Sequence, residues 1–115
     1  MRESEVGKTL RVLRDNGYRV KVSHTRRYVG KTGTSYYMDN TQARRMRADG
    51  VENFFPQATG GLAIVRIEAP GGERAAGYSG CSVKDNFVGL RGTAIALGRA
   101  LDELSNVLAP GAIHA

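Results

Sequence analysis

The side chains best suited to binding a ligand are cations and tyrosines that recur between positions 19 and 47. Lysine and arginine neutralise phosphates and release their counterions, and tyrosine rings stack on unpaired bases or line a groove for a partner. This pattern predicts a contact surface of eleven residues: Arg19, Lys21, Arg26, Arg27, Tyr28, Lys31, Tyr36, Tyr37, Arg44, Arg45 and Arg47.

The positive charge is concentrated in one half of the chain. The 115 residues carry a formal net charge of +6. Residues 1–50 contain 12 cations and five carboxylates, whereas residues 51–115 contain five cations and six carboxylates. Such asymmetry predicts a polyanionic partner. That partner is the phosphate backbone of DNA or RNA, or an acidic host protein, and no known nucleic-acid-binding signature decides between them.

Three motifs resemble parts of catalytic sites but are incomplete. The Gly-Lys-Thr segments at 7–9 and 30–32 lack the glycine of a phosphate-binding loop, because Arg2 and Thr25 stand at its position. The segment 77–80 resembles a nucleophile elbow, but position 81 is cysteine where that motif requires glycine. The sequence therefore predicts a protein that is not an enzyme and binds no cofactor.

Cysteine and histidine are too few for a metal centre or a disulfide. Cys81 is the only cysteine, and His24 and His114 are the only histidines, so we expect neither a zinc site nor an intrachain disulfide. We predict that His24 is a packed or edge-strand residue rather than a catalytic base. Cys81 is expected to be a small buried apolar residue just before a helix.

We expect no targeting or membrane-spanning segment. The stretch from Met1 to Lys21 alternates charged and apolar residues, without the apolar core of a signal peptide. No apolar run approaches the roughly 18 residues of a transmembrane helix. The single unpaired cysteine suits a reducing compartment, so the predicted location is cytoplasmic.

Apolar spacing in the first half predicts a helix followed by a strand. Ser4 is the expected N-cap of a helix whose apolar face is Val6, Leu10 and Leu13, and Gly17 suits the left-handed position after its end. Residues 18–25 alternate apolar with polar side chains, as a half-buried strand does. Further along we expect a hairpin over 26–38 that turns at 30–33, a short helix over 42–48 capped within 39–41, and an ordered loop over 51–61.

The second half predicts a hairpin and one long helix. Residues 62–69 and 73–79 form two expected strands joined by a turn at 70–72. Ser82 and Asp85 match a capping box, and Pro110-Gly111 would end the helix that it opens. Along this helix apolar residues recur at steps of four and three: Val83, Phe87, Leu90, Ala94, Leu97, Leu101, Leu104 and Leu108. The spacing indicates packing onto a sheet, and it leaves open a monomer or a homodimer through this helix.

These elements predict a single small α+β domain over residues 1–115, in the order α-β-β-α-β-β-α. Two β-hairpins would pack with helices, and the long C-terminal amphipathic helix would be the main core element. The basic half, residues 1–50, would stand on a near-neutral hairpin-and-helix platform, residues 62–108.

The last hairpin and helix also carry a pattern that occurs in a group of known proteins. The pattern K-D-x-F-x4-G-x3-A-x2-R-A-L is matched by Lys84, Asp85, Phe87, Gly92, Ala96 and the run Arg99-Ala100-Leu101. In this respect residues 77–104 resemble small uncharacterised proteins of bacteriophages and mobile elements of actinobacterial type. The resemblance implies a phage or mobile-element origin and a place in the cytoplasm of a bacterial host cell.

The predicted function is therefore that of a non-enzymatic, basic accessory protein that binds nucleic acid for a phage or mobile element. The alternative is a small phage effector that binds and modulates a host protein. Arginines with exposed aromatic residues are the side chains that dominate protein interfaces, so the same surface suits this second role.

Overall fold

In the residues that the structure describes, 1–50 and 54–108, three α-helices and four strands follow one another in the predicted order. In this computed structural model the elements are α1 (Val6–Asp15), β1 (Arg19–Gly30), β2 (Ser35–Met38), α2 (Asn40–Ala48), β3 (Phe54–Glu68), β4 (Arg74–Asn86) and α3 (Gly89–Leu108). The α+β class and the long C-terminal helix are confirmed.

The four strands form one antiparallel sheet in the order β2-β1-β3-β4. Both predicted hairpins are present: Tyr36 of β2 lies opposite Tyr28 of β1, and β4 pairs with β3 across the turn at 70–72. A long pairing of β1 with β3 joins the two hairpins, starting with Arg19 opposite Glu68. The two halves of the sequence thus meet along the centre of the sheet.

One face of the sheet is covered by α1 and α3. Side chains alternate along a strand, and those of Ala63, Val65 and Ile67 on β3 enter a core cluster with Leu97 and Leu104 of α3. Leu97 and Val65 have no exposed surface, and burying a side chain of this size contributes about 1.5–3 kcal/mol. α3 is the main core element, as its apolar spacing predicts.

Farther along the sheet the same face is covered by α2. The Asp39 carboxylate accepts a hydrogen bond from the Gln42 amide at 2.7 Å, and the Gln42 side chain accepts one from the Asp39 amide at 2.9 Å. This capping box confirms the predicted cap within 39–41, although α2 starts at Asn40, two residues earlier than predicted. Ala43 of α2 then packs with Tyr28 and Phe54 in a second buried cluster.

The first helix ends as predicted but starts differently. Gly17 follows its end with a φ of +84°, a left-handed conformation that suits glycine. Ser4 is not the N-cap, because it lies within a 3-10 turn, Glu3–Glu5, that precedes α1. The N-cap residue is Glu5, whose side chain makes no capping hydrogen bond.

The segment 54–61 is strand rather than the predicted ordered loop. β3 starts at Phe54 and pairs with β1 on both sides of a bulge. Gly60 and Gly61, at the bulge, have φ values of +78° and +147°. The glycines that suggested a loop instead allow β3 to bulge and continue. Residues 51–53 lie outside the described residues.

The last helix starts later than predicted, because β4 continues to Asn86, which pairs with Thr59. Ser82 and Asp85 therefore lie in a strand and do not form a capping box. The Ser82 hydroxyl instead accepts a hydrogen bond from the Lys84 amide at 3.2 Å. Val83 and Phe87 are outside the helix, whereas the other six predicted apolar positions are inside it. Pro110 and Gly111, the predicted stop, are outside the described residues.

The opposite face of the sheet carries none of these helices. α1, α2 and α3 all pack on the face to which Val65, Ile67 and Tyr28 point, so the alternating side chains of β1, β3 and β4 face solvent on the other side. We refer to it as the helix-free face. None of the helices in the described part of the chain combines the length and apolar character needed to cross a membrane.

Candidate functional site

The predicted contact residues fall into two groups at opposite ends of β1. Arg19 and Lys21 lie at its start, whereas Lys31, Tyr36 and Tyr37 lie at or beside its end. At a rise of about 3.3 Å per residue, Lys21 and Lys31 are roughly 33 Å apart along the strand direction. The eleven residues therefore do not form one continuous surface.

The first group belongs to a basic cluster on the helix-free face. The register places Arg19 and Arg74 on either side of Glu68, and it places Lys21 directly opposite Arg66. All four cations are exposed. The basic cluster is defined as Arg19, Lys21, Arg66 and Arg74, and it draws two members from each half of the sequence.

Lys21 and Arg66 face each other across β1 and β3 with no carboxylate between them. Directly opposite residues have Cβ atoms about 4.5–5.5 Å apart, where like charges destabilise a sheet. Among the ion pairs of the described residues, only that of Arg74 with Glu68 involves the basic cluster, with Nε and Oε2 3.6 Å apart. An anion bound between Lys21 and Arg66 would relieve their repulsion.

An open hollow of about 540 Å³ lies within the basic cluster. Its lining includes all four cations and two carboxylates, Glu68 and Glu103. Glu103 extends to this hollow from α3, and Glu68 is paired with Arg74. Four cations against two carboxylates still leave the hollow an excess of positive charge. Its chemistry therefore suits a phosphate or another anionic group.

Beyond the basic cluster the helix-free face becomes apolar. The next row across the sheet contains Ser23, Ile64 and Tyr78, and Leu62 follows in the row after that. Tyr78 is 51% exposed, while Ile64 and Leu62 are half-buried beside it. An exposed aromatic ring thus lies in the row next to Lys21 and Arg66, which have no ion pair within the described residues.

At the far end of the sheet, Tyr28 and Arg47 have structural contacts. The Tyr28 ring is 6% exposed and packs edge-on against Phe54, with 5.7 Å between the ring centroids. The Arg47 guanidinium lies over the other ring of this pair, 5.0 Å from the Phe54 centroid. Tyr28 is therefore a core residue rather than the predicted contact residue, because its ring has no face left for a partner.

Arg26 and Arg27 also make contacts within the chain. Arg27 donates from Nη2 to the Thr59 hydroxyl at 2.9 Å and from Nε to the Thr59 carbonyl at 3.3 Å. Arg26 places its guanidinium 5.8 Å from the centroid of the Phe87 ring. Both arginines thus support the bulged part of the sheet.

Three of the remaining predicted residues, Tyr36, Tyr37 and Arg45, line a groove between β2 and α2, whereas Lys31 and Arg44 are not part of its lining. Tyr36 and Tyr37 are 42% and 52% exposed, and they line this groove together with Arg45 and Met46. Its volume is about 550 Å³. Lys31 in the hairpin turn and Arg44 on α2 are exposed. We call this site the β2–α2 groove.

His24 is packed between the sheet and α3, as predicted. Its Nε2 atom is 2.7 Å from the Thr93 hydroxyl, and its ring lies edge-on to Phe87 with 5.6 Å between centroids. Burial, followed by the positive charge of Arg26, lowers the pKa of His24 below 6.5, against the opposing effect of a hydrogen bond to the Gly89 backbone.

Cys81 lies in β4 and not just before a helix. It is partly buried, and its Sγ atom is 3.4–3.6 Å from the backbone carbonyl oxygens of Ser82, Asp85 and Asn86. Within residues 1–50 and 54–108, His, Cys, Asp and Glu side chains form no group of three that could hold a metal ion.

Arg66, Arg74 and Tyr78 are the residues of the helix-free face that the sequence-based prediction lacks. The alternation of residues 62–69 places Arg66 on one face with Leu62 and Ile64. Nothing in the sequence shows, however, that this face continues into that of Arg19 and Lys21. The net charge of each half does not reveal Arg66 and Arg74 either, because the second half as a whole is close to neutral.

No family model, curated protein or solved structure matches this chain.

Proposed function

We propose that this chain binds the phosphate backbone of a nucleic acid through the helix-free face of its sheet, without catalysing a reaction. The resemblance of residues 77–104 to phage and mobile-element proteins suggests that it does so as an accessory protein in the cytoplasm of a bacterial host. This proposal rests on one observation. Lys21 of β1 and Arg66 of β3 lie directly opposite each other, and no carboxylate lies between them.

Three features support phosphate as the group that lies between these cations. Like charges at directly opposed positions weaken a sheet, and an anion between them turns the repulsion into two attractive contacts. Arg19 and Arg74 extend the positive surface to the adjoining row. The site is also open, so a polymer can pass across it without entering a closed cavity.

A salt titration with paired double variants tests the proposal. In Lys21→Gln/Arg66→Gln we expect the affinity for a labelled oligonucleotide to fall about tenfold at low salt. We also expect the slope of log K against log salt to become shallower by about 0.8, because the two cations share one phosphate and each lost phosphate contact removes roughly 0.7–0.9.

The matched control is Lys8→Gln/Arg11→Gln, which removes the same charge from exposed positions on α1, on the other side of the sheet. Its slope should stay within error of the wild-type value. Equal loss in both double variants would show that net charge, and not the helix-free face, drives binding. Absence of binding by the wild type at about 50 mM salt would refute the proposal altogether.

A second candidate function, modulation of a host protein, is favoured by the β2–α2 groove. Tyrosine, arginine and methionine are common at protein interfaces, and Tyr36, Tyr37, Arg45 and Met46 line this one site. Because this groove and the basic cluster lie at different ends of β1, the two functions can be tested independently.

A pulldown from bacterial lysate, performed in parallel with and without nuclease, tests this second function. We expect a bound protein to be lost in Tyr36→Ala/Tyr37→Ala and retained in Lys21→Gln/Arg66→Gln. Recovery of nucleic acid alone, abolished by nuclease, would count against a protein partner.

A further inference from the structure

Tyr78 is the exposed aromatic residue closest in register to the basic cluster. Its row across the sheet is two residues beyond the row of Lys21 and Arg66, a separation of about 7 Å along the strands. The phosphate and the base of one nucleotide are separated by a sugar, so a phosphate at the cations leaves its base within reach of the ring.

The neighbours of Tyr78 leave its ring accessible. On the helix-free face its neighbours two positions away along β4 are Ala76 and Gly80, which are small. Among the described residues β4 is the edge strand of the sheet, and no further strand of that part of the chain covers the ring from outside. On the inner side Ile64 and Leu62 form an apolar floor. A flat apolar group can therefore lie on the ring and on this floor together.

The backbone that carries Tyr78 is held firmly by α3. Gly77 contacts the α3 backbone directly, at Ala96 and Ala100. Arg99 of α3 donates a hydrogen bond from Nη1 to the Tyr78 carbonyl oxygen at 2.7 Å. The backbone that carries the ring is thus held by α3 before a ligand arrives, which reduces the backbone entropy lost on binding.

We propose that the partner is an unpaired polynucleotide strand, with a base stacked on Tyr78 while its phosphate lies between Lys21 and Arg66. This inference rests on the proposed nucleic-acid binding and specifies its ligand. In a duplex each base is covered above and below by its neighbours, so only the phosphates would meet this face and Tyr78 would contribute little. In a single strand the base is free to stack, and stacking tolerates any base.

Fluorescence anisotropy with matched ligands tests this inference. The ligands are a labelled strand of roughly 12 nucleotides, the same strand in a duplex, and an abasic strand of equal length. Ribose and deoxyribose versions form separate arms, because both sugars carry the same phosphate and base chemistry. The proteins are the wild type, Tyr78→Leu and Tyr78→Phe.

We expect the wild type to prefer the single strand over the duplex. Tyr78→Leu should lower affinity for the single strand about tenfold, which is within the range for loss of one stacked base. It should leave affinity for the duplex and for the abasic strand unchanged. Tyr78→Phe, which keeps the ring, should stay within about threefold of the wild type, and unchanged melting temperatures would show that both variants are folded.

Two results would separate failure of this inference from failure of the proposed function. If the duplex binds as tightly as the single strand, or if Tyr78→Leu weakens all ligands equally, base stacking on Tyr78 is wrong, although salt-dependent binding through Lys21 and Arg66 stands. If the wild type binds none of the ligands, the proposed function itself is wrong.

Discussion

Gly77 in β4 and Ala96 in α3 meet backbone to backbone. A Cβ added at Gly77 would overlap the Ala96 carbonyl oxygen and the Ala100 amide nitrogen. Neither is the movable end of a side chain, so α3 would have to shift away from the sheet. We expect Gly77→Ala to lower the free energy of unfolding by about 1–3 kcal/mol, measured by urea denaturation.

Gly80, in the same strand, is the matched control for this substitution. A Cβ at Gly80 would meet nothing within 4 Å. Gly80→Ala should therefore change stability by no more than about 0.5 kcal/mol. Equal losses of stability in the two variants would mean that glycine is needed in β4 for its backbone conformation and not for the close approach of α3.

Arg27 stabilises the fold, although its charge suggested a role in binding a partner. Its two hydrogen bonds to Thr59 connect β1 with the bulged part of β3. We expect Arg27→Ala to cost about 1–3 kcal/mol of stability, because the Thr59 carbonyl and hydroxyl lose a charged donor. Lys31→Ala, which removes one exposed cation from the hairpin turn, should cost less than about 0.5 kcal/mol. Similar small effects from both would contradict this role for Arg27.

His24 makes the stability of the fold dependent on pH. Its lowered pKa means that the folded state favours the neutral ring, so the unfolded chain takes up the proton first as the pH falls. The stabilisation is complete above the unfolded-state pKa of about 6.5 and is lost as the pH falls through the lower folded-state value. Urea unfolding between about pH 7.5 and 5.5 should therefore show stability decreasing toward acid.

The control for this pH dependence is His24→Gln, which keeps a polar side chain next to Thr93 but does not titrate. It should be less stable than the wild type at neutral pH and should lack most of the decrease in this range. A wild-type slope that survives the substitution would have to come from other groups.

Local patterns predicted most of the elements, and they failed where pairing partners are distant in sequence. Asp39 with Gln42 is a true capping box, since α2 follows it directly. Ser82 with Asp85 has the same three-residue spacing, but this segment lies in β4, where Asn86 pairs with Thr59. Polar pairs with this spacing therefore have opposite outcomes, and pairing with a strand distant in sequence accompanies the difference.

The candidate site was predictable only in part, for a related reason. Strand alternation alone put Arg19 and Lys21 on the exposed face of β1. Their companions Arg66 and Tyr78 join them through the pairing of β1 with β3 and of β3 with β4, which local patterns do not specify. The high charge density of the first half instead predicted Arg27 as a contact residue, whereas its guanidinium forms hydrogen bonds to Thr59 of β3.

The middle of the apolar strip of α3, from Ala94 to Leu104, packs against the sheet, whereas Leu90 and Leu108 near its ends are exposed, and this bears on the oligomeric state. Leu97 and Leu104, which a two-helix seam would need, are buried against the sheet. A homodimer through this strip would require α3 to leave the core, at a cost of about 1.5–3 kcal/mol for each large side chain uncovered. We therefore expect sedimentation equilibrium to give the monomer mass, 12.4 kDa, over a wide range of protein concentration.

A mass that rises toward twice this value with concentration would contradict the expectation. Leu90→Glu, at an exposed position of α3, would then show whether the outer side of the helix forms the contact.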